Sequence, residues 1–427
     1  QHKHISGWDY NSQMTFESIS TQDLAAKIDN PDYAIIDIRP SAAYNGWRLQ
    51  GEARGGHIHG AVSFSCSWTD GLSRPKFKSL LLSKGLTPDK TVVIYGYQRD
   101  DSAAMAKRLE KIGFGAIRIY AAGIQEWAAD PGLPMAFLPN YKKLVHPAWI
   151  QQIISGQKPD HFPQQEYRLF EASWGGCEEY QNGHIPGAIH LDLSLTEDQL
   201  TNNIVPDEDL LKFLLGLGIT SDLTVILYGR DMMPAARAAS ILLYAGVEDV
   251  RILDGGYDSW LKARYAVEKG QQKSTHRDKF GGTFPAHPEY IIGLNSVRAL
   301  LADEQGLLVS VRSWEEYTGK TSGYSYIKAK GHIAGAVWGY SGSDALHMQD
   351  YKNPDLTMRS YPEIVANWQR QGITPDKKIA FYCGTGWRAS EAFLYAHLLG
   401  WPQIAIYDGG WYEWSQDSSN AIETNFP

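Results

Sequence analysis

The chain has 427 residues, 43% hydrophobic and 21% charged, with a formal net charge of −8. Such a length exceeds what one hydrophobic core supports, so two to four domains are expected, and the acidic balance argues against nucleic acid or an anionic membrane as the main partner. No apolar run approaches the roughly 18 residues that mark a transmembrane helix, and the three cysteines, Cys66, Cys177 and Cys383, form neither a disulfide framework nor a zinc pattern.

Taken in order, the chain repeats itself three times. The first unit has a strand-like run at residues 34–39 that ends Asp37-Ile38-Arg39, then a Gly56-His57-Ile58 turn, then Val92-Val93-Ile94-Tyr95 and a closing Trp127. The second has residues 168–172, Gly183-His184-Ile185, Val225-Ile226-Leu227-Tyr228 and Trp260. The third has residues 307–312, Gly331-His332-Ile333, Ile379-Ala380-Phe381-Tyr382 and Trp414. The separation from tyrosine to tryptophan is 32 residues each time, so loop, helix and next strand are collinear in all copies. Helix-like stretches fall at 102–112, 235–244 and 361–371. Short apolar strands alternating with helical patterns predict small parallel sheets with helices on both faces. We therefore expect three tandem α/β domains over residues 1–139, 140–275 and 276–427, with joins near 139–143 and in the polar stretch 269–279.

The chemistry concentrates in Phe381-Tyr382-Cys383-Gly384-Thr385-Gly386-Trp387-Arg388. A loop between a strand end and a helix N-terminus turns several backbone N–H groups towards one point, a nest that favours negative charge. A cysteine at its rim is expected as the thiolate. Aligned on the strand tyrosine, the same position is Gly96 in the first unit and Gly229 in the second, so only the third can carry a nucleophile. Gly384 and Gly386 permit the turn, Thr385 offers a hydroxyl, and Trp387 either walls the pocket or packs. Arg388 either binds an oxyanion or pairs with a carboxylate behind the loop; the first is favoured, since the guanidinium matches oxyanions well. His57, His184 and His332 recur in units without a nucleophile and are read as structural. Arg312 is read as an ion-pair residue although Ser310 stands where its acidic partner would be, and Cys66 and Cys177 as bystanders.

These residues resemble the rhodanese family of sulfurtransferases: the Asp-Ile-Arg strand end, the Gly-His-Ile-x-Gly-Ala turn, the cysteine loop and the closing Asp-Gly-Gly of Asp254–Gly256 and Asp408–Gly410. Three such units are similar to the bacterial three-domain exported type. The resemblance implies sulfane-sulfur transfer from thiosulfate to cyanide or a thiol through a persulfide on Cys383, with Gly384, Thr385, Gly386, Trp387 and Arg388 binding the donor. It implies no cofactor or metal, a small-molecule donor and acceptor, a sulfur-relay protein as a further partner, and neither nucleic acid nor membrane. A start at Gln1 and the exported-type likeness favour the periplasm, with the cytoplasm as the alternative. Mercaptopyruvate is the rival donor: Cys-Gly-Thr-Gly suits it, but Glu316 falls where an arginine would take its carboxylate. A phosphatase or arsenate reductase needs a loop one residue longer than Cys383 to Arg388. A third reading makes the two units without a thiol docking modules for a sulfur donor or acceptor protein.

Overall fold

The structure is a computed structural model that describes residues 16–424. Each repeat forms a five-stranded, all-parallel sheet with the same strand order. In the third repeat that order is Ile291–Ile292, Ile404–Tyr407, Lys378–Tyr382, Gly306–Ser310 and Val337–Trp338. Strand Lys378–Tyr382 is central, and every residue after Lys378 is buried. A run without polar alternation is what a parallel strand covered on both faces requires.

The chain forms two compact units, Gln1–Phe137 and Leu138–Pro427. The second unit contains two sheets that share one core, running from Phe170 and Leu227 through Ala239 and Ala392 to Phe381 and Phe393. Stretch 269–279, expected as a linker, therefore connects two sheets of one packed body. The shared core is built on helices Met232–Ala245 and Trp387–Leu398. Both are buried around nearly their whole circumference, and Ala235, Ala239, Ala389 and Ala392 keep the contact side small. Ser240 Oγ donates to Ser390 Oγ across the helix pair at 3.3 Å.

The three histidine turns are one repeated joint. Nδ1 of His57, His184 and His332 meets the carbonyl of Tyr44, Tyr180 and Tyr317 at 2.9, 2.9 and 2.7 Å. Each imidazole also stacks on that same tyrosine. The amide after each histidine donates to the strand tyrosine's hydroxyl, Tyr95, Tyr228 or Tyr382, at 3.0–3.1 Å. These contacts tie each turn to the central strand and give the histidines a structural role.

Within Leu138–Pro427 the second and third repeats exchange contacts pseudo-symmetrically. The Ile204 amide donates to Asp408 Oδ2 at 2.5 Å, and the Met358 amide donates to Asp254 Oδ1 at 2.7 Å. The two ends differ in charge. Arg237 pairs with Asp408, whereas the corresponding position beyond Tyr382 is Glu391, buried near the second repeat's loop. Burial pushes the Asp254 carboxyl up to about 8. Burial likewise raises Glu391 to about 7, outweighing the Lys352 ammonium 3.7 Å away.

Both acids therefore hold protons in the folded chain that the unfolded chain releases near pH 4. Their contribution to stability is complete below that pH and is lost as pH rises through about 7 to 8. Asp254→Asn, which keeps an oxygen for the Met358 amide, is expected to flatten the fall in Tm between pH 5 and 8, measured by calorimetry across that range.

Candidate active site

Strand Lys378–Tyr382 ends at Cys383, which is only 1% exposed. The chain then turns through Gly386, at φ +94°, into helix Trp387–Leu398. The turn brings the Gly386 amide to 3.2 Å and the Ala389 amide to 3.5 Å from Cys383 Sγ. The sulfur thus faces the first turn of a 12-residue helix, where unpaired N–H groups and the helix dipole both favour an anion.

The loop is also held from outside. The Trp411 and Tyr412 amides donate to the Cys383 and Gly384 carbonyls at 2.8 and 3.1 Å. Gly410 makes this approach possible: a Cβ there would lie 2.6 Å from the Cys383 carbonyl oxygen. At Gly384 a Cβ would come within 2.1 Å of the Tyr324 ring, so glycine lets that ring close on the loop. Tyr324 and Tyr326 stand beside each other at 5.3 Å between ring centroids, and Tyr326 packs edge-on against Tyr412. Tyr326 is 55% exposed at the rim of this cluster.

Arg388 realises the second of its two readings. Its Nη1 and Nη2 donate to the two carboxylate oxygens of Glu316 at 2.8 and 3.0 Å, and Nη2 also reaches the Tyr324 hydroxyl at 3.0 Å. Both partners are buried. Burial alone would raise the Glu316 carboxyl, but the Arg388 hydrogen bonds and charge, with Arg312 beside them, bring it down to about 2. The expectation that Arg388 binds the donor is therefore corrected: its hydrogen-bonding edge is committed to Glu316. Arg312 is the structural residue expected, with Nη1 on the Gly331 carbonyl, Nη2 on the Ser322 carbonyl and Glu316 at 3.5 Å in place of the missing acid at Ser310.

Trp387 is half-buried and donates its indole N–H to Glu197 of the second repeat, which also accepts from Trp174 at 3.3 Å. Arg237, from the same repeat, lies directly behind Gly386. A Cβ on that glycine would meet Asp408 Oδ1 at 2.8 Å and Arg237 Nη1 at 3.0 Å. Sequence reasoning missed Tyr324, Tyr326, Glu197, Arg237 and the role of Glu316. Only Arg237 had a readable signal, since it and Glu391 occupy corresponding positions beyond Tyr228 and Tyr382.

The positions equivalent to Cys383 in the other two loops are glycines with little room for a side chain. At Gly96 a Cβ would meet Ile38 Cγ1 at 2.8 Å, and at Gly229 it would meet the Asp231 carbonyl oxygen at 2.8 Å. In the second repeat the Met232 thioether accepts the Gly255 amide at 3.3 Å. Cys66 and Cys177 are free and half-buried, and burial raises the Cys66 thiol.

The Rhodanese-like domain family model matches residues 20–130, 163–263 and 294–417. The chain belongs to the rhodanese family. This rhodanese is 43% identical over 390 residues to the thiosulfate sulfurtransferase YnjE of Escherichia coli K12, covering 91% of this chain and 88% of that one. It is 31% identical to the sulfur carrier protein TtuD of Thermus thermophilus, over 64% of this chain and 93% of the relative. The solved structure of wild-type EanB superposes with a TM-score of 0.93 at 39% identity, over 97% of this chain and 99% of that one. The chain is thus a sulfurtransferase of three rhodanese repeats. No helix of the described residues is long and apolar enough to cross a membrane.

Glu316→Gln leaves the buried Arg388 guanidinium without its counter-charge and is expected to cost about 3–5 kcal/mol, seen as a lowered Tm. The double change Glu316→Leu with Arg388→Met is expected to recover most of that loss, because burying two apolar groups avoids desolvating either ion.

Proposed function

We propose that this rhodanese takes its sulfur from thiosulfate and passes it to cyanide or a thiol. The observation that carries this reading is the Cys383 sulfur held against the Gly386 and Ala389 amides at a helix N-terminus. Cys383 thiolate attacks the outer sulfur of thiosulfate. The sulfur–sulfur bond of the donor breaks, sulfite leaves with the bonding pair, and Cys383–S–S⁻ remains. Cyanide or a thiolate then attacks the terminal sulfur and restores the Cys383 thiolate. No proton moves in either displacement, and every species is anionic. The site therefore needs aligned donors and positive potential rather than a general base.

The loop from Gly384 to Trp387 supplies N–H groups for the sulfonate oxygens, and the Thr385 hydroxyl lies at the same rim. Thiosulfate is favoured over mercaptopyruvate because Glu316 occupies the position of a carboxylate-binding arginine and spends its own charge on Arg388. The periplasm is the compartment this reading carries, supported by the likeness to the exported three-domain type. A protein acceptor is the further partner, supported by the similarity to a sulfur carrier protein.

A second acceptor class is favoured by one specific likeness. EanB has been solved with hercynine, and with ergothioneine covalently linked to its persulfide cysteine. Its varied positions include a threonine two residues after that cysteine and a tyrosine 59 residues before it. Thr385 and Tyr324 stand at the same separations from Cys383. Sulfur transfer to an imidazole carbon is the reading this supports.

Incubation with thiosulfate followed by intact-mass measurement is expected to show one added sulfur on the wild type and none on Cys383→Ser. Absence of the adduct with any sulfane donor overturns the proposal. Thiosulfate-loaded protein offered cyanide and hercynine in parallel, with thiocyanate and thione measured, separates the two acceptor classes.

A further inference from the structure

We propose that Arg237, contributed by the repeat that lacks a nucleophile, is a positioning residue for Cys383 that raises the positive potential behind its loop. The inference rests on Cys383 as the sulfur carrier and deepens that reading. Arg237 lies on helix Met232–Ala245, and its side chain is fully buried. Nη2 donates to Asp408 Oδ1 at 2.7 Å, while Nε and Nη1 have no hydrogen-bond partner. A buried guanidinium with donors left over is costly to keep unless nearby negative charge compensates it. Burial works against its proton, yet Asp408, Glu197 and the Cys383 thiolate together hold it above its ordinary value.

The geometry connects this cation to the sulfur through one residue. Gly386 donates its amide to Cys383 Sγ at 3.2 Å, and its α-carbon faces Arg237 Nη1 and Asp408 Oδ1. The Arg237–Asp408 pair is thus a floor on which the amide-donating turn rests. The pseudo-symmetric half of the same body provides an internal comparison. There Glu391 takes the place of Arg237, Asp254 takes the place of Asp408, and the loop they back has Gly229 instead of cysteine. An arginine–aspartate pair stands behind the loop that must hold an anion, and two acids stand at the loop that holds none. Arg388, the nearer cation in sequence, places both Nη1 and Nη2 on Glu316, whereas the Arg237 Nη1 beneath Gly386 has no hydrogen-bond partner. The second repeat therefore completes the catalytic site of the third as well as packing against it.

The test reads the Cys383 thiolate directly and needs no sulfur donor, so it fails separately from the thiosulfate reading. In a Cys66→Ser, Cys177→Ser background the rate of Cys383 alkylation by iodoacetamide is followed from pH 5 to 10. Arg237→Met is expected to raise the midpoint by about one unit, slowing alkylation roughly tenfold below it. Arg237→Lys is expected to restore most of the reactivity. Asp408→Asn, which removes the counter-charge and leaves the cation, is expected to move the midpoint down. A role limited to packing predicts that the Met and Asn variants shift together or leave the midpoint unmoved, and either result overturns the proposal. If Arg237→Met does not fold, the Asp408→Asn and Arg237→Lys profiles decide: a lowered midpoint in the first with a near-native one in the second supports the proposal, and any other pattern overturns it.

Discussion

A sulfur anion removed from water must find donors already in place, and the rest of this molecule is arranged to supply them. Cys383 obtains them by ending a central parallel strand directly beneath a helix N-terminus, with the Gly386 and Ala389 amides turned to Sγ. Backbone donors need no reorganisation as charge shifts from thiolate to persulfide. Their cost is a turn that no ordinary residue fits: Gly384 yields to the Tyr324 ring, Gly386 takes a positive φ, and Gly410 lets the next turn approach the loop carbonyls.

Around this nest the buried charges are matched. Glu316 answers Arg388 and lies beside Arg312, while Asp408 answers Arg237. The Glu316–Arg388 pair and the Tyr324 hydroxyl flank the loop on one side. The other flank is shared with a neighbouring repeat, whose Glu197 holds the Trp387 indole and whose Arg237 lies beneath Gly386. The second repeat has Gly229 at the cysteine position, yet its helix Met232–Ala245 stands behind the third repeat's loop. Met232 and acidic neighbours lie at its own loop.

The three-fold repeat was legible because it is written in spacing. Constant separations between Tyr95 and Trp127, Tyr228 and Trp260, and Tyr382 and Trp414 reflect one strand–loop–helix–strand geometry that tolerates no insertion. The nucleophile was legible for the same reason, since its neighbours in space are its neighbours in sequence. Arg388 shows the limit of that locality. Five residues from Cys383, it was expected at the donor, but it points to Glu316, 72 residues earlier. Glu316 in turn is oriented by a capping box with Ser313 at the start of helix Trp314–Tyr317.

By itself the sequence determined the α/β class, the number of repeats, the one loop of the three that carries a cysteine and the amide nest, because each depends on contacts within about 30 residues or on a pattern repeated three times. Only the tertiary structure decided which charges face that nest. Arg237 and Asp408 are 171 residues apart and meet because helices Met232–Ala245 and Trp387–Leu398 pack through small side chains inside one shared core. Spacing within a repeat carries no information about which repeat will lie against it. That choice is made by burying two apolar helices against each other, and it places an arginine from a silent repeat beneath the loop of the active one.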